Sequence, residues 1–298
     1  MTSFWSWYII SIVVINIVGC LVLLLATRKN KTDVSEGEAL KHSFDGITEL
    51  NNPLPKWWFW CFIITIVYSV VYLALYPGMG SYKGLLNWSS DSQWRSEVNV
   101  ADKQYGPIFS KYGQQSIETL IKEPKAMEIG QRIFANNCAM CHGADARGAK
   151  GFPNLTDTDW LYGGSPQEIE TSILYGRQGN MPPQGEIIGG RKSVEMVAEY
   201  VLSLNNKPHS DVLAEQGKEK FMTTCAACHG ADAKGNKLLG APNLTNNMWL
   251  FGGRKKTIQE TITFGRQSMM PAHEGILGKD KTHIVAAYVY GLSHPQSK

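Results

Sequence analysis

CAMCHG at residues 138–143 is the stretch on which the fold of this chain depends, and CAACHG at residues 225–230 repeats it. Each stretch brings two thiols and an imidazole together within five residues. The surroundings repeat as well, because Phe134 precedes the first stretch as Phe221 precedes the second, at an offset of 87. An internal repeat is a primary signal of architecture. The chain therefore uses one structural module twice.

The repeat continues beyond these stretches at an offset of 89, after two inserted residues. It predicts two modules of about 85 residues, at 126–206 and 210–295. Each module has three segments with helical periodicity, separated by loops rich in Gly, Pro and Asn, and neither shows strand alternation. We therefore predict an all-α fold. The matching elements are Pro153 and Pro242, Trp160 and Trp249, Gly176-Arg177-Gln178 and Gly265-Arg266-Gln267, and Met181-Pro182 and Met270-Pro271.

Two apolar runs near the N-terminus predict transmembrane helices. They lie at about residues 4–26 and 57–76, and each reaches the roughly 20 residues that cross a hydrocarbon core. Trp and Tyr residues near their ends suit the membrane interface. The first run lacks the basic segment and the small-residue cleavage site that mark a signal peptide. We therefore expect residues 1–80 to be a retained membrane anchor in contact with lipid.

The loop between the predicted spans, residues 28–56, contains the basic residues that orient them. Arg28, Lys29 and Lys31 follow the first span and Lys56 adjoins the second, whereas no Lys or Arg precedes the first span. The positive-inside rule places this loop in the cytoplasm and the rest of the chain on the opposite side. We therefore expect a multi-pass bacterial inner-membrane protein with periplasmic modules.

Composition limits the other possibilities. The 298 residues have a formal charge of +3, from 29 basic and 26 acidic residues, which does not predict a nucleic-acid-binding surface. Cys20 and Cys61 lie in apolar runs, so the cysteines do not indicate a disulfide framework. Residues 81–125 are polar with scattered aromatic residues, and we predict a connector with one helix near residues 114–121.

Three chemistries compete for the Cys-x-x-Cys-His pattern. A zinc site usually takes four ligands from pairs about 12 to 20 residues apart, whereas Cys141 and Cys225 are 84 positions apart. A thioredoxin-like pair needs a βαβ context, which neither module shows. Haem c attachment uses both thiols as thioethers and the adjacent imidazole as an iron ligand. The doubled pattern predicts two haem c groups, held by Cys138, Cys141 and His142 and by Cys225, Cys228 and His229.

Each iron needs a sixth ligand, and Met is usual where the site transfers electrons at a raised potential. Met181 and Met270 stand at equivalent loop positions, both before Pro and after the Gly-Arg-Gln unit. Each Met serves the haem of its own module or, in a crossed arrangement, that of the other, and the contiguous repeat favours the uncrossed one. His273 is a rival ligand without a counterpart, since Gln184 stands in the first module. We interpret the histidines outside the repeated pattern as solvated: His42, His209, His273, His283 and His294.

Other repeated residues suit supporting roles around a haem. A Pro carbonyl can accept the N–H of the iron-binding imidazole, which fixes the ring orientation. An Arg can pair with haem propionates, and a Trp can pack on the porphyrin or donate to it. Ordinary loop structure is the alternative for each. These candidates are Pro153, Pro242, Arg177, Arg266, Trp160 and Trp249.

Together these features resemble the membrane-anchored dihaem cytochrome c subunit, CcoP or FixP, of bacterial cbb3-type cytochrome c oxidases. The resemblance rests on the two Cys-x-x-Cys-His stretches, on both Met-Pro pairs and on DGITELNNPLPKWW at residues 45–58, and it covers about residues 40–295. It implies two type I cytochrome c domains and a complex with a haem-copper catalytic subunit and a monohaem cytochrome c subunit. It also implies electron transfer from a soluble or membrane-bound cytochrome c toward the oxygen-reducing site. The span at residues 4–26 departs from the many members that have one span.

Iron with both axial positions filled has no site for oxygen or peroxide, so we predict an electron-transfer subunit without substrate chemistry of its own. Three alternatives remain at this point. A dihaem peroxidase needs one iron that sheds its sixth ligand, although both modules have an equivalent Met. A dihaem cytochrome can serve a periplasmic dehydrogenase instead of an oxidase. An assembly or anchoring protein would not need either Met.

Overall fold

The computed structural model describes residues 1–28 and 33–294. The described chain is mostly helical, as the sequence predicts. It divides into two compact units, Met1–Lys103 and the residues from Gln104 onward. Lys29 and Lys31, two of the residues that orient the predicted spans, lie outside the described residues.

The N-terminal unit contains the two helices predicted as membrane spans. Helix α1 is Ser3–Thr27 and helix α2 is Lys56–Leu75, and both are long and apolar enough to cross a membrane. The two helices contact each other, yet most of their large hydrophobic side chains are exposed. A helix that is apolar on all faces is stable in lipid, where such side chains need no protein cover. The exposure therefore suits helices that face lipid.

A two-stranded hairpin lies between these helices and was not predicted from the sequence. Strands β1 (Ala39–Phe44) and β2 (Ile47–Leu50) pair antiparallel. Asp45 and Gly46 form the turn with φ angles of 50° and 82°. An Asp-Gly pair suits this turn, so the local signal was present. Both strands are almost wholly exposed, so no alternation of buried and exposed residues provided a second signal for the hairpin.

A long helix follows the spans where the sequence predicted a connector. Helix α3 is Ser90–Gly113 and crosses from the first unit into the second. The helix predicted near residues 114–121 is a single turn, α4, at Ile117–Leu120. Helix α3 was missed because most of its residues are polar and because Pro107, a residue that normally ends helices, lies inside it.

The remaining elements of the second unit come in two sets, one from each sequence module. Each set has a helix before the Cys-x-x-Cys-His stretch, a short helix that ends at its His, two further helices, and a short strand between them. The first set is α5 (Pro124–Asn137), α6 (Ala139–His142), α7 (Pro166–Tyr175), β3 (Arg177–Met181) and α8 (Gly190–Ser203). The second is α9 (Asp211–Lys220), a π-helical turn (Phe221–Cys225), α10 (Ala226–His229), α11 (Lys255–Phe264), β4 (Arg266–Met270) and α12 (Glu274–Ser293).

The second unit has two hydrophobic cores, and each contains helices from both modules. In the first core, α5 and α7 pack against α12, the last helix of the second module. In the second core, α9 and α11 pack against α8, the last helix of the first module. Phe134 is 1% exposed in the first core and its counterpart Phe221 is 0% exposed in the second. The two modules therefore exchange their last helices.

Strands β3 and β4 carry the chain from one core to the other. They pair antiparallel along their whole length. Beyond β3, the backbone N–H of Gln184 donates to the carbonyl of Ile262 in α11 at 2.9 Å. Beyond β4, the N–H of His273 donates to the carbonyl of Ile173 in α7 at 3.0 Å. Because these two bonds join equivalent positions of the repeat, both crossings are made in the same way.

The contiguous repeat contains no sign of this exchange. Helices α8 and α12 derive from the matching segments EMVAEYVLSL and HIVAAYVYGL, so either one offers a suitable apolar face to either core. The short connection at residues 204–210 keeps α8 beside α9, as is usual for consecutive elements. The boundaries 126–206 and 210–295 delimit the sequence repeats, but they do not delimit the two cores.

Glu199 links the exchanged helix α8 to α11 through an ion pair. Lys255 Nζ lies 2.6 Å from Glu199 Oε1, and the Ser210 N–H donates to Glu199 Oε2 at 3.0 Å. Burial alone would raise the pKa of Glu199, but these two partners hold the pKa below its ordinary value. The stabilisation is therefore fully present above the unfolded pKa of about 4.3 and is lost as the pH falls through the lower folded pKa.

Glu199→Gln is expected to lower the free energy of unfolding at pH 7 by about 1.5–3 kcal/mol, because charge-assisted hydrogen bonds are lost. Urea unfolding of the detergent-solubilised chain measures this change, which should shrink below about pH 4. Glu195→Gln is the matched control. Glu195 contacts the same Lys255 Nζ at 2.8 Å, but its side chain is 44% exposed, so the loss should stay under about 1 kcal/mol. Equal losses in the two variants would contradict the assigned role of Glu199.

Candidate haem sites

The first Cys-x-x-Cys-His stretch lies at the end of α5 and forms one helical turn. The His142 N–H bonds the Cys138 carbonyl at 3.0 Å, so a single turn separates the first thiol from the imidazole. His142 is 9% exposed, and its Nδ1 lies 3.1 Å from the Pro153 carbonyl oxygen. An imidazole that donates its Nδ1–H to a carbonyl leaves Nε2 free to bind a metal. The turn therefore presents two thiols and one available imidazole nitrogen.

The second stretch has the same arrangement, with one local difference. Its π-helical turn, Phe221–Cys225, replaces the regular α-helix that leads to the first stretch. Such π turns within helices are frequent at functional sites. His229 is 8% exposed, and its Nδ1 lies 3.1 Å from the Pro242 carbonyl oxygen. Both Pro carbonyls thus lie within hydrogen-bonding distance of the preceding imidazole.

Burial sets the protonation of these groups. It raises the pKa of the Cys138 and Cys225 thiols to about 11, with a smaller contribution from the second thiol of each pair. Burial also lowers the pKa of His142 and His229 below 6.5, against the opposing effect of the hydrogen bond to each Pro carbonyl. The imidazoles are therefore neutral at pH 7, which is the state that binds iron.

The two Met residues lie on the crossing strands. Met270 ends β4 and packs against the first core, which Cys138 also contacts. Met181 ends β3, directly opposite Arg266 of β4, and the chain beyond it is bonded to α11 of the second core. Each Met therefore lies on the segment that enters the core of the other module. This packing differs from the uncrossed arrangement that the contiguous repeat favours.

Several buried polar atoms near these sites have no hydrogen-bond partner among the described residues. An unpaired buried polar group costs about 1–3 kcal/mol, so a native structure normally supplies a partner for it. A haem supplies two propionate carboxylates as acceptors. The unpaired atoms thus fit a bound haem at each site: Trp160 Nε1, Trp249 Nε1, Tyr162 Oη and His273 Nδ1.

Arg177 and Arg266 pack on aromatic rings at equivalent places. The Arg177 guanidinium lies 4.8 Å from the Tyr162 ring centre, and that of Arg266 lies 4.8 Å from the Phe251 ring centre. Arg266 also pairs with Glu260 at 3.0 Å. The two aromatic residues were not identified from the sequence, although they match at the repeat offset of 89. Both guanidiniums are held in place by stacking and remain candidates for propionate pairing.

Two histidines expected to be solvated are in fact enclosed. His273 is 9% exposed at the start of α12. His283 bonds the Glu170 carboxylate at 2.9 Å and the Gln115 carbonyl at 2.7 Å, which ties α12 to α7 and to the turn after α3. Sequence reasoning missed both because the residues bonded to the His273 backbone and to the His283 side chain lie far away along the chain. The remaining three histidines of this group are exposed: His42, His209 and His294.

Comparisons with known protein families match most of the chain. A family model described as the N-terminal domain of cytochrome oxidase-cbb3, FixP, matches residues 36–83. A second, described as cytochrome c oxidase, cbb3-type, subunit III, matches residues 125–201 and 212–289, which are the two sequence modules. The chain belongs to the CcoP/FixP family of cbb3-type oxidase subunits.

Curated relatives agree over almost the full length. The cbb3-type cytochrome c oxidase subunit CcoP of Rubrivivax gelatinosus is 47% identical over 98% of this chain and 95% of its own length. The FixP subunit of Sinorhizobium medicae is 38% identical over 89% of this chain and 97% of its own length. The FixP subunit of Bradyrhizobium sp. strain ORS 278 is 39% identical over 90% of this chain and 99% of its own length. The first alignment covers all but a few residues of this chain.

Membership in the CcoP/FixP family settles the class of function. The chain is an electron-transfer subunit of a cbb3-type cytochrome c oxidase, and its two cytochrome c domains bind haem c. It is not an enzyme by itself but part of an oxygen-reducing respiratory complex. The two apolar helices accord with a membrane-anchored oxidase subunit.

Proposed function

We propose that this subunit holds its two haem groups at the two Cys-x-x-Cys-His turns and passes electrons between them. Haem supplies one-electron iron chemistry when bound, and the chain supplies attachment, ligation and enclosure. Both cores lie in one compact unit, and each contains helices from both modules. Because neither site is complete without segments of both modules, this arrangement supports electron transfer between the two haem groups. The thioether residues are Cys138 and Cys141 for the first haem and Cys225 and Cys228 for the second, with His142 and His229 as proximal ligands.

The axial Met ligands are proposed to be crossed. Met270 packs against the core that contains the first attachment turn, so we assign it to the haem on Cys138 and Cys141. Met181 lies on the strand that leads to α11 and α8, so we assign it to the haem on Cys225 and Cys228. The equivalent backbone bonds beyond the two strands support this assignment. Met ligation also favours a raised potential, which suits transfer toward an oxidase.

Residues around each site would hold the haem without reacting. The carbonyls of Pro153 and Pro242 accept the Nδ1–H of the proximal imidazoles and so orient the rings. The unpaired Nε1 atoms of Trp160 and Trp249 donate to propionates in this proposal. Arg177 and Arg266 supply positive charge for the same carboxylates. His and Met would together leave no open position for oxygen on either iron, so we propose that oxygen is reduced on a partner subunit.

The proposed partners are the haem-copper catalytic subunit and the monohaem cytochrome c subunit of the oxidase. A soluble or membrane-bound cytochrome c is proposed as the electron donor. Purification of the complex in mild detergent, with haem staining and identification of co-isolated chains, tests this assignment. Co-isolation with a dehydrogenase in place of the haem-copper subunit would refute the proposed partners. A high-spin haem or rapid peroxide turnover by the wild-type chain would instead favour a peroxidase.

We propose that α1 and α2 span the bacterial inner membrane with the haem sites on the periplasmic side. Arg28 and Lys56 flank the loop between these helices, and the positive-inside rule places that loop in the cytoplasm. Alkaline phosphatase, which needs an oxidising compartment, is expected to be active when fused after residue 90 and inactive when fused after residue 50. Matched fusions of a cytoplasmic reporter at the same positions should show the reverse. Activity of alkaline phosphatase at the loop position would contradict this orientation.

A further inference from the structure

His273 is a buried imidazole that the relay described so far does not use. It is 9% exposed, and its Nδ1 has no hydrogen-bond partner among the described residues. Its backbone N–H is bonded to Ile173 of α7, which fixes the residue at the junction of β4 and α12. A buried imidazole nitrogen without a partner is costly. The absence of a protein partner points to an acceptor that belongs to the bound group.

The position of His273 places it in the first haem site. It follows the proposed ligand Met270 by three residues, on the segment that packs against the first core. The imidazole therefore lies close along the chain to the proposed Met ligand of the first iron, at the edge of the core that contains the first attachment turn.

The second site has no such group. Gln184 stands at the equivalent position, 89 residues earlier. It is only half-buried, and its side-chain amide donates to the Pro182 carbonyl of its own loop at 3.3 Å. The backbone N–H groups of Gln184 and His273 make matching bonds, so the two sites differ here in side chain and not in backbone path. The repeat therefore builds two similar sites and adds a buried hydrogen-bond donor to one of them.

We propose that His273 is a positioning residue of the first haem site, donating its Nδ1–H to the bound haem or its Met ligand and thereby raising the reduction potential of that haem. The inference rests on the proposed haem sites and crossed Met ligands. A donated hydrogen bond withdraws electron density from the haem or its ligand, and this disfavours the more positive ferric state. The first haem thus holds an electron more tightly than it would with the environment of the second.

The test compares His273→Leu with Gln184→Leu in the intact detergent-solubilised oxidase complex. Redox titration by visible absorbance, with electron paramagnetic resonance to separate the haems, measures both potentials. His273→Leu is expected to reduce the electron affinity of the first haem about tenfold, which corresponds to about 59 mV for one electron. Gln184→Leu should leave the second haem unchanged. An unchanged first haem, or equal shifts from both variants, would overturn the proposal.

Further readouts keep this result distinct from failure of the haem assignment. If a chain in which only Cys225 and Cys228 are replaced by Ala gives no haem staining, the first haem site itself is refuted. If the wild-type chain carries both haems but the His273→Leu variant loses one, the His273→Gln variant is used for the titration instead. Because Gln retains a hydrogen-bond donor, this variant should keep part of the raised reduction potential of the first haem. Loss of the low-spin signal of the first haem in both variants would show that His273 is an axial ligand, which would also overturn the proposal.

Discussion

Met270→Ala is expected to remove the sixth ligand from the haem attached to Cys138 and Cys141, although Met270 belongs to the other sequence module. The iron should become high-spin and bind carbon monoxide, because alanine offers no ligand atom. Oxidase turnover with a cytochrome c donor should fall by at least about tenfold, since loss even of residues around a metal ligand costs this much. Optical and electron paramagnetic resonance spectra of the purified complex measure the change.

The Met that binds each haem can be assigned in a chain that carries only the second haem. Replacement of Cys138 and Cys141 by Ala leaves the second attachment turn as the sole site. In that background, Met181→Ala should abolish the Met–iron absorption band, whereas Met270→Ala should leave it intact. The opposite pattern would establish uncrossed ligation and contradict the assignment made from the packing. Retention of the band in both variants would mean that neither Met is the ligand of the second haem.

Gly265→Ala is expected to shift the backbone of Met181. Gly265 directly precedes β4 and lies against Met181 at the end of β3. Gly265 has φ 70° and ψ −174°, a conformation that residues other than Gly rarely adopt, and a Cβ there would overlap the Met181 carbonyl oxygen. Backbone strain and overpacking together should cost about 2–5 kcal/mol. Gly176 has the same relation to the Met270 carbonyl oxygen. Each variant is therefore expected to weaken ligation by the Met of the facing strand.

Spectra and thermal unfolding of the two Gly variants check this reciprocity. Gly265→Ala should reduce the Met–iron band of the second haem, and Gly176→Ala that of the first. Gly190→Ala is the matched control, because Gly190 has φ 76° but no atom within 4 Å of the added Cβ. It should lower stability by about 1–2 kcal/mol through strain alone and leave both bands unchanged. Loss of a Met band in the control would show that strain, not the close approach, is responsible.

Local signals predicted much of this protein from its sequence. The two spans are covered by α1 and α2 to within a residue or two, because long apolar runs need no tertiary partner to be recognised. Three helical segments in each module were also expected, since helical periodicity acts within a few turns. Helix α3 was missed because it is polar and contains Pro107. The hairpin at Ala39–Leu50 was missed because it buries neither face.

The site residues divide in the same way. Cys138, Cys141 and His142 are recognisable because attachment chemistry needs all three within a single turn, and their repetition made the signal specific. The Pro153 carbonyl was anticipated from its place in the repeat. His273 was misjudged as solvated, since its backbone is fixed by a bond to Ile173 of α7, about 100 positions away. Tyr162 was overlooked because aromatic residues in loops have no distinctive spacing.

The sequence by itself determined that this chain has two apolar spans and two repeated turns that can bind haem through adjacent thiols and an imidazole. These properties depend on composition and on neighbours within one helical turn. Only the tertiary structure decided which last helix completes which core, because α8 and α12 have similar apolar faces and fit either one. Strands β3 and β4 make that choice through their antiparallel pairing and the matching bonds of Gln184 and His273. The crossed positions of Met181 and Met270 follow from this pairing, which joins residues too far apart for any local pattern to reveal.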